Sequence, residues 1–202
     1  LYSQIARAFL SLCKIKNMSL TESNMPGLGM KAPDFTLPDT VSGEMMTFND
    51  IKGMKGTVIL FICNHCPYVI HVNAELVRIA NEYKLAGIGF VAISSNDAAN
   101  YPDDAPEKMR LVAKVLGYPY AYLYDEDQNT AKAYEAACTP DIYVFDSDDR
   151  LFYRGRLDES RPGNDKPVTG KDLRLALDLM ILGESPLKKQ YPGAGCNIKW
   201  KK

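Results

Sequence analysis

The sequence predicts an α/β fold: a central mixed β-sheet with helices on both faces and an N-terminal β-hairpin extension. Three observations predict it. Two continuous apolar runs, "GTVILFIC" and "IGFVAIS", read as strands buried on both faces. Stretches of helical periodicity separate such runs, and alternating strands and helices imply parallel strands under helical layers. Near the far end, "DIYVFD" and "RLFYRGRLD" flank a short "SDD" turn, which adds an antiparallel pair.

Taken in order, residues 1–27 read as an N-terminal extension. "LYSQIARAFLSLCKIKN" has Arg7, Lys14 and Lys16, no acid, and Ile5, Ala8, Phe9 and Leu12 at the spacing of an amphipathic helix. Met18 is the expected native start, so residues 1–17 are set apart from the fold. "DFTLPDTVSGEMMTFNDIKG" is punctuated by Pro38 and Gly43 and reads as a hairpin. After "GTVILFIC", a helix should open at Cys66 or Pro67, because proline suits the first helical turn. Val69, Val72, Leu76, Ile79, Ala80 and Tyr83 then share one face, and Gly87 stops the helix. In "SNDAANYPDDAPEKMRLVAKVLG", Asp104 and Glu107 have the spacing of a capping box. "YAYLYD" is a strand, "QNTAKAYEAA" (128–137) a helix, and "TGKDLRLALDLMILG" the last helix. One domain is expected over residues 28–184, with 185–202 a loop-like basic tail.

Composition removes several function classes. A net charge of −1 and a pI near 6.2 give no basic field for nucleic acid. No apolar run approaches the roughly 20 residues of a membrane helix. Cys13, Cys63, Cys66, Cys138 and Cys196 are scattered, unlike a disulfide-stapled secreted scaffold. A cytoplasmic location is the expectation.

Chemistry concentrates at Cys63-Asn64-His65-Cys66-Pro67. A buried strand ends there and a helix begins. Backbone N–H groups at a helix N-terminus stabilise an anion such as a thiolate, and cysteines so placed fall well below their usual range near 8.5. The spacing lets the two sulfurs approach bonding distance. His65 is the candidate for tuning the thiol pKa; His71 reads as an ordinary helix-surface histidine. Zinc would draw on Cys63, Cys66, His65 or His71, but no second ligand pair follows at suitable spacing. Two buried structural thiols are the plainest alternative. Cys138 and Cys196 are candidates for additional redox thiols, although a buried small hydrophobe is the commoner role for such residues. Tyr118, Tyr120, Tyr122 and Tyr124 read as a packing ladder. Asp103, Asp104, Asp146, Asp148 and Asp149 read as caps and turns.

Strand, C-x-x-C, proline and helix together resemble the thioredoxin superfamily. "ACTPDIYVFD" is the second marker, and "GMKAPDFTLPDTVSGEMMTFNDIKGMKGTVILF" is similar to the opening of its redoxin branch, which includes the alkyl hydroperoxide reductase and thiol-specific antioxidant proteins. "NHCPYV", "SSNDAANYPDDAPEKM" and "GCNIKWK" look like a bacterial peroxiredoxin-like group. The resemblance spans residues 28 to 200. It implies a thioredoxin-like fold, a cis-proline at Pro140 facing the motif, and a substrate-binding role for Thr139 and Pro140. It departs from true peroxiredoxins, whose P-x-x-x-[T/S]-x-x-C pattern meets Ile59 and Cys63 at its first two fixed positions.

The function expected is a thiol–disulfide oxidoreductase in which Cys63 attacks and Cys66 resolves. The alternatives are a divergent peroxiredoxin reducing hydroperoxides through Cys66, and a binding module whose C-x-x-C holds zinc or is vestigial. The first reading implies no cofactor and no metal. Its partners are protein or small-molecule disulfides, or hydroperoxides in the alternative, together with an electron donor.

Overall fold

The computed structural model describes residues 20–202. The helix expected around Ile5–Leu12, and Cys13, lie outside the described residues. Five strands form the central sheet: β4 (Gly56–Phe61), β5 (Ile88–Ser94), β6 (Ala121–Tyr124), β8 (Asp141–Asp146) and β9 (Leu151–Gly155), in the order β6-β5-β4-β8-β9. β4, β5 and β6 run parallel, while β8 pairs antiparallel with both β4 and β9, so the sheet is mixed as expected.

Every residue of β4 is buried. Its alternation divides the core in two. Val58, Leu60 and Ile62 point into one layer, beneath helices α2 (Pro67–Lys84), α3 (Pro106–Leu116) and α5 (Lys171–Ile181). From α2 this layer takes Val69, Val72, Leu76, Ile79 and Ala80, the face expected from periodicity. Ile59 and Phe61 point the other way, against the hairpin of β2 (Thr36–Pro38) and β3 (Met45–Thr47) and the short helices α1 (Phe48–Ile51) and α4 (Asn129–Ala133).

Three expectations are corrected. The first is α4, which is five residues long instead of spanning 128–137. The chain leaves the helix because Glu135 takes a positive φ of 55° and Tyr134 is pulled into the core, its hydroxyl donating to the Pro33 carbonyl at 2.6 Å. The second is the capping box. The N-cap of α3 is Ala105 with no side-chain bond, and Asp104 closes the 3₁₀ turn Pro102–Asp104 with its carboxylate turned inward.

The third is the tail. Within 185–202, Ala194–Asn197 forms β10, the middle strand of a second sheet, β1-β10-β7. Its neighbours are β1 (Leu20–Glu22) and β7 (Cys138–Thr139), with Cys196 opposite both Leu20 and Thr139. Both ends of the described chain are thus built into the fold beyond residues 28 and 184. Gly195 makes the register possible, since an added Cβ would collide with the Thr139 carbonyl oxygen.

Candidate functional site

β4 ends in the buried interior, and five residues carry the chain to α2. Cys66 is the N-cap of that helix, in extended conformation, with Pro67 as its first residue. No hydroxyl or carboxylate occupies the cap. A sulfur does; it makes no cap hydrogen bond of good geometry, although the Val69 N–H still favours its ionised form. From across the sheet, β7 brings Thr139 over the motif, and the Thr139–Pro140 bond is cis as the resemblance implies. Cys63 Sγ lies 3.5 Å from Thr139 Oγ1, and Cys66 Sγ lies 3.2 Å from the Thr139 carbonyl oxygen. The structure therefore brings together the four residues assigned to catalysis and substrate binding.

It also brings Cys196. From β10 its Sγ reaches 2.6 Å from Cys66 Sγ. Cys138 does not join. Next to Thr139 on β7, it faces the opposite way, its Sγ 3.9 Å from Ser23 Oγ and 3.7 Å from the Pro140 carbonyl. Burial pushes the Cys138 thiol up, and nearby Asp141 adds to this.

Neither motif cysteine is exposed: Cys63 is 2% accessible and Cys66 0%. Accessibility therefore does not single out Cys63 as the attacking residue. The electrostatics favour Cys66 as the anion. Burial works to raise its thiol, but hydrogen bonds from Cys196, Cys63 and Thr139 and from the Val69 backbone outweigh this and hold it well below the ordinary thiol range. Cys63 is raised by its hydrogen bond to Cys66, by burial and by the Asp104 charge. With Cys66 ionised, the S–H groups of Cys63 and Cys196 donate to it; when protonated, Cys66 donates to the Thr139 carbonyl.

The loop between the cysteines is held from below by Asp104, which is fully buried. Its Oδ1 accepts the Asn64 N–H at 2.8 Å and its Oδ2 accepts Asn96 Nδ2 at 2.7 Å. His65 Nδ1 lies 2.7 Å from the same Oδ2, though its N–H is not aligned for a straight hydrogen bond. Charge attraction at this distance does not need that alignment, and Asp104 raises the His65 pKa against the opposing effect of burial. The Asn64 side chain donates to the Asp103 carbonyl at 2.8 Å and accepts from Tyr122 Oη at 3.1 Å. The tyrosine ladder is core packing as expected, with Tyr118 and Tyr120 ring centroids 4.9 Å apart, but Tyr122 also braces the motif.

Asp104 is the site residue that sequence reasoning missed. Its local pattern imitates a cap, and nothing in the sequence joins it to residues 64 and 65. His71 stays outside the cluster. Its Nε2 is 2.7 Å from Ser160 Oγ, and burial lowers its pKa. It lines a groove beside Pro140 with Tyr68, Arg156 and Arg161. Arg154 and Arg156 do not face the thiols. Arg154 bonds the Pro26 carbonyl and Gln190; Arg156 pairs with Asp172 and stacks on Tyr191.

For a metal, the ligand atoms of Cys63, His65 and Asp104 lie within 4.8 Å of one another. Both Asp104 oxygens already accept hydrogen bonds, and Cys66 is outside this set, so among the described residues a closed tetrahedral cage of protein ligands is not assembled.

Residues 28–154 match the AhpC/TSA family. The chain belongs to that family. A conserved Geobacillus kaustophilus protein of solved structure is 55% identical, with a TM-score of 0.90 over 92% of this chain and 98% of that one. The Sinorhizobium meliloti 1021 protein SMc02350 is 43% identical, with a TM-score of 0.87 over 90% and 98%. Among curated proteins, the thiol:disulfide interchange protein DsbE of Allochromatium vinosum is 27% identical over 124 residues. That match covers 61% of this chain and 63% of DsbE. Thioredoxin-fold structures below 25% identity share the architecture alone, which is the thioredoxin-like fold expected from the sequence. Among the described residues of this AhpC/TSA protein, no helix is long and apolar enough to cross a membrane.

Proposed function

We propose that this AhpC/TSA-family protein is a thiol–disulfide oxidoreductase cycling between a Cys63–Cys66 dithiol and disulfide. One observation carries the reading: both sulfurs converge on Thr139, at the cis peptide bond. The thiolate is the reactive species in exchange, and the donors around Cys66 favour that residue as the nucleophile. This reverses the order expected from the sequence. Cys66 attacks a substrate disulfide, forming a mixed disulfide and releasing one substrate thiolate. Cys63 loses its proton and attacks Cys66 Sγ, closing the Cys63–Cys66 bond and releasing the second thiolate. A dithiol donor then returns two electrons. Substrate sulfur must reach below the surface, so Asn64 and His65 are expected to shift during exchange.

Peroxide chemistry draws less support, because Arg154 on β9 and Arg156 just after it are engaged away from the thiols. The deciding experiment incubates variants with an aromatic disulfide and maps adducts by mass spectrometry. Cys63→Ser combined with Cys196→Ala should trap the mixed disulfide on Cys66, and Cys66→Ser should trap at least tenfold less. The opposite pattern would assign the attack to Cys63. Sulfenic acid on Cys66 after hydroperoxide, with no exchange activity, would replace the reading by the peroxidase one.

A further inference from the structure

We propose that Cys196 is a third redox thiol of this site, and that Cys66 exchanges its disulfide partner between Cys63 and Cys196. The inference rests on the exchange reading above and extends it. Its basis is positional. Cys66 Sγ has a neighbour on each side: Cys63 within its own loop and Cys196 at 2.6 Å, closer than two non-bonded sulfurs ordinarily sit. A disulfide needs 2.03–2.05 Å, so little movement separates this pair from a bond.

The approach is built by the fold. β10 pairs with β7 so that Cys196 stands opposite Thr139, the residue both motif cysteines touch. Beyond β10 the tail is fastened down. Gln128 donates through Nε2 to the Lys199 carbonyl at 2.9 Å and accepts the Lys201 N–H through Oε1 at 2.8 Å. Asn96 accepts the Lys199 N–H at 2.8 Å and gives its amide to Asp104. One side chain, Asn96, therefore ties the tail just after the strand of Cys196 to the acid that holds the Cys63–Cys66 loop. A hydrogen bond to Cys66, burial and the Cys66 charge raise the Cys196 thiol, and the Lys199 charge opposes them.

The step balances without an added oxidant. Starting from the Cys63–Cys66 disulfide, the Cys196 thiol gives up its proton and its sulfur attacks Cys66 Sγ. The Cys63–Cys66 bond breaks, the Cys66–Cys196 bond forms, and Cys63 leaves as a thiolate that takes up a proton. No net oxidation occurs. Cys63 is free again while the oxidising equivalents are stored on β10, for later reduction by an external dithiol.

The test oxidises the full chain with one equivalent of diamide, alkylates free thiols at low pH and maps disulfide-linked peptides by mass spectrometry. Both Cys63–Cys66 and Cys66–Cys196 pairs are expected in the wild-type protein. Cys66–Cys196 alone is expected in Cys63→Ser, and Cys63–Cys66 alone in Cys196→Ala. A wild-type protein that forms Cys63–Cys66 while Cys196 stays fully alkylated overturns the relay and leaves the exchange reading standing. A protein that forms neither pair overturns both. The wild-type map decides the matter even where a variant fails to fold.

Discussion

At the scale of single residues, Asp104 decides how the motif is held. A fully buried carboxylate is costly unless its lone pairs are satisfied and its charge paired; Asn64 and Asn96 do the first and His65 the second. Because Asp104 raises the His65 pKa, their pairing contributes stability that is fully present below about 6.5 and is lost as pH rises through the raised folded value. Asp104→Asn should move the His65 titration, followed by NMR of its ring protons, back toward or below the ordinary histidine value. Asp104→Ala should cost about 3 kcal/mol in urea unfolding, since it leaves buried donors unpaired. An unchanged His65 titration in Asp104→Asn would show that the close contact does not act as an ion pair. Cys63 and Cys66 were legible in the sequence because the C-x-x-C at a strand end is a local pattern with a chemical reason, and Thr139 and Pro140 were legible only through the family resemblance. Asp104 was not, because a local pattern of a different meaning, the capping box, covered it. Its partners at Asn64 and His65 are some 40 positions away.

At the scale of elements, the strands and helices of the central sheet were legible because apolar runs and helical faces are properties of contiguous sequence. β5 matches its expected limits and α2 its expected start and face. β10 was illegible for the opposite reason. Ala194–Asn197 is short, contains glycine and has little β propensity, so pairing with β1 and β7 creates the strand. The overlong helix expected at 128–137 has a related cause, since helical propensity there yields to burial of Tyr134. Gln128 sits at the junction of both corrections. It starts α4 with a φ of 64° and clasps the tail with both ends of its amide. Gln128→Ala removes three hydrogen bonds, to Ser95, Lys199 and Lys201. At about 1 kcal/mol each, the variant should lose about 3 kcal/mol of unfolding free energy, and Cys196 should react faster with a small alkylating agent. Loss of stability with no change at Cys196 would show that β10 stays in place without this clasp.

At the scale of the whole molecule, the two sheets meet where β7 runs into β8, and Asp141 sits at the junction. It accepts from Ser23 Oγ at 2.7 Å, Tyr143 Oη at 3.1 Å and the Ala137 N–H at 3.1 Å, so it links the residue after β1, β8 and the loop after α4. Burial nonetheless pushes its carboxyl from 3.8 up to about 6. A raised carboxyl favours the protonated folded state, so its contribution is fully present below 3.8 and is lost as pH rises through about 6. The displacement corresponds to about 3 kcal/mol. Between pH 3.5 and 7, the wild-type protein should lose roughly that much stability relative to Asp141→Asn, measured by urea unfolding at each pH. Parallel pH profiles for the two proteins would show that Asp141 titrates in the folded state as it does in the unfolded chain.

The burial of Cys63 and Cys66 bears on timing as much as on chemistry. A thiolate that has no exposed surface at rest meets a partner only in the moments when its cover parts. The rate of encounter is then the product of how often the cover opens and how fast the opened sulfur reacts. Whatever holds Asn64 and His65 in place sets the first factor, and the donors around Cys66 set the second. Selection among substrates can thus be exercised by a waiting time, with a partner favoured when its own binding prolongs the open interval.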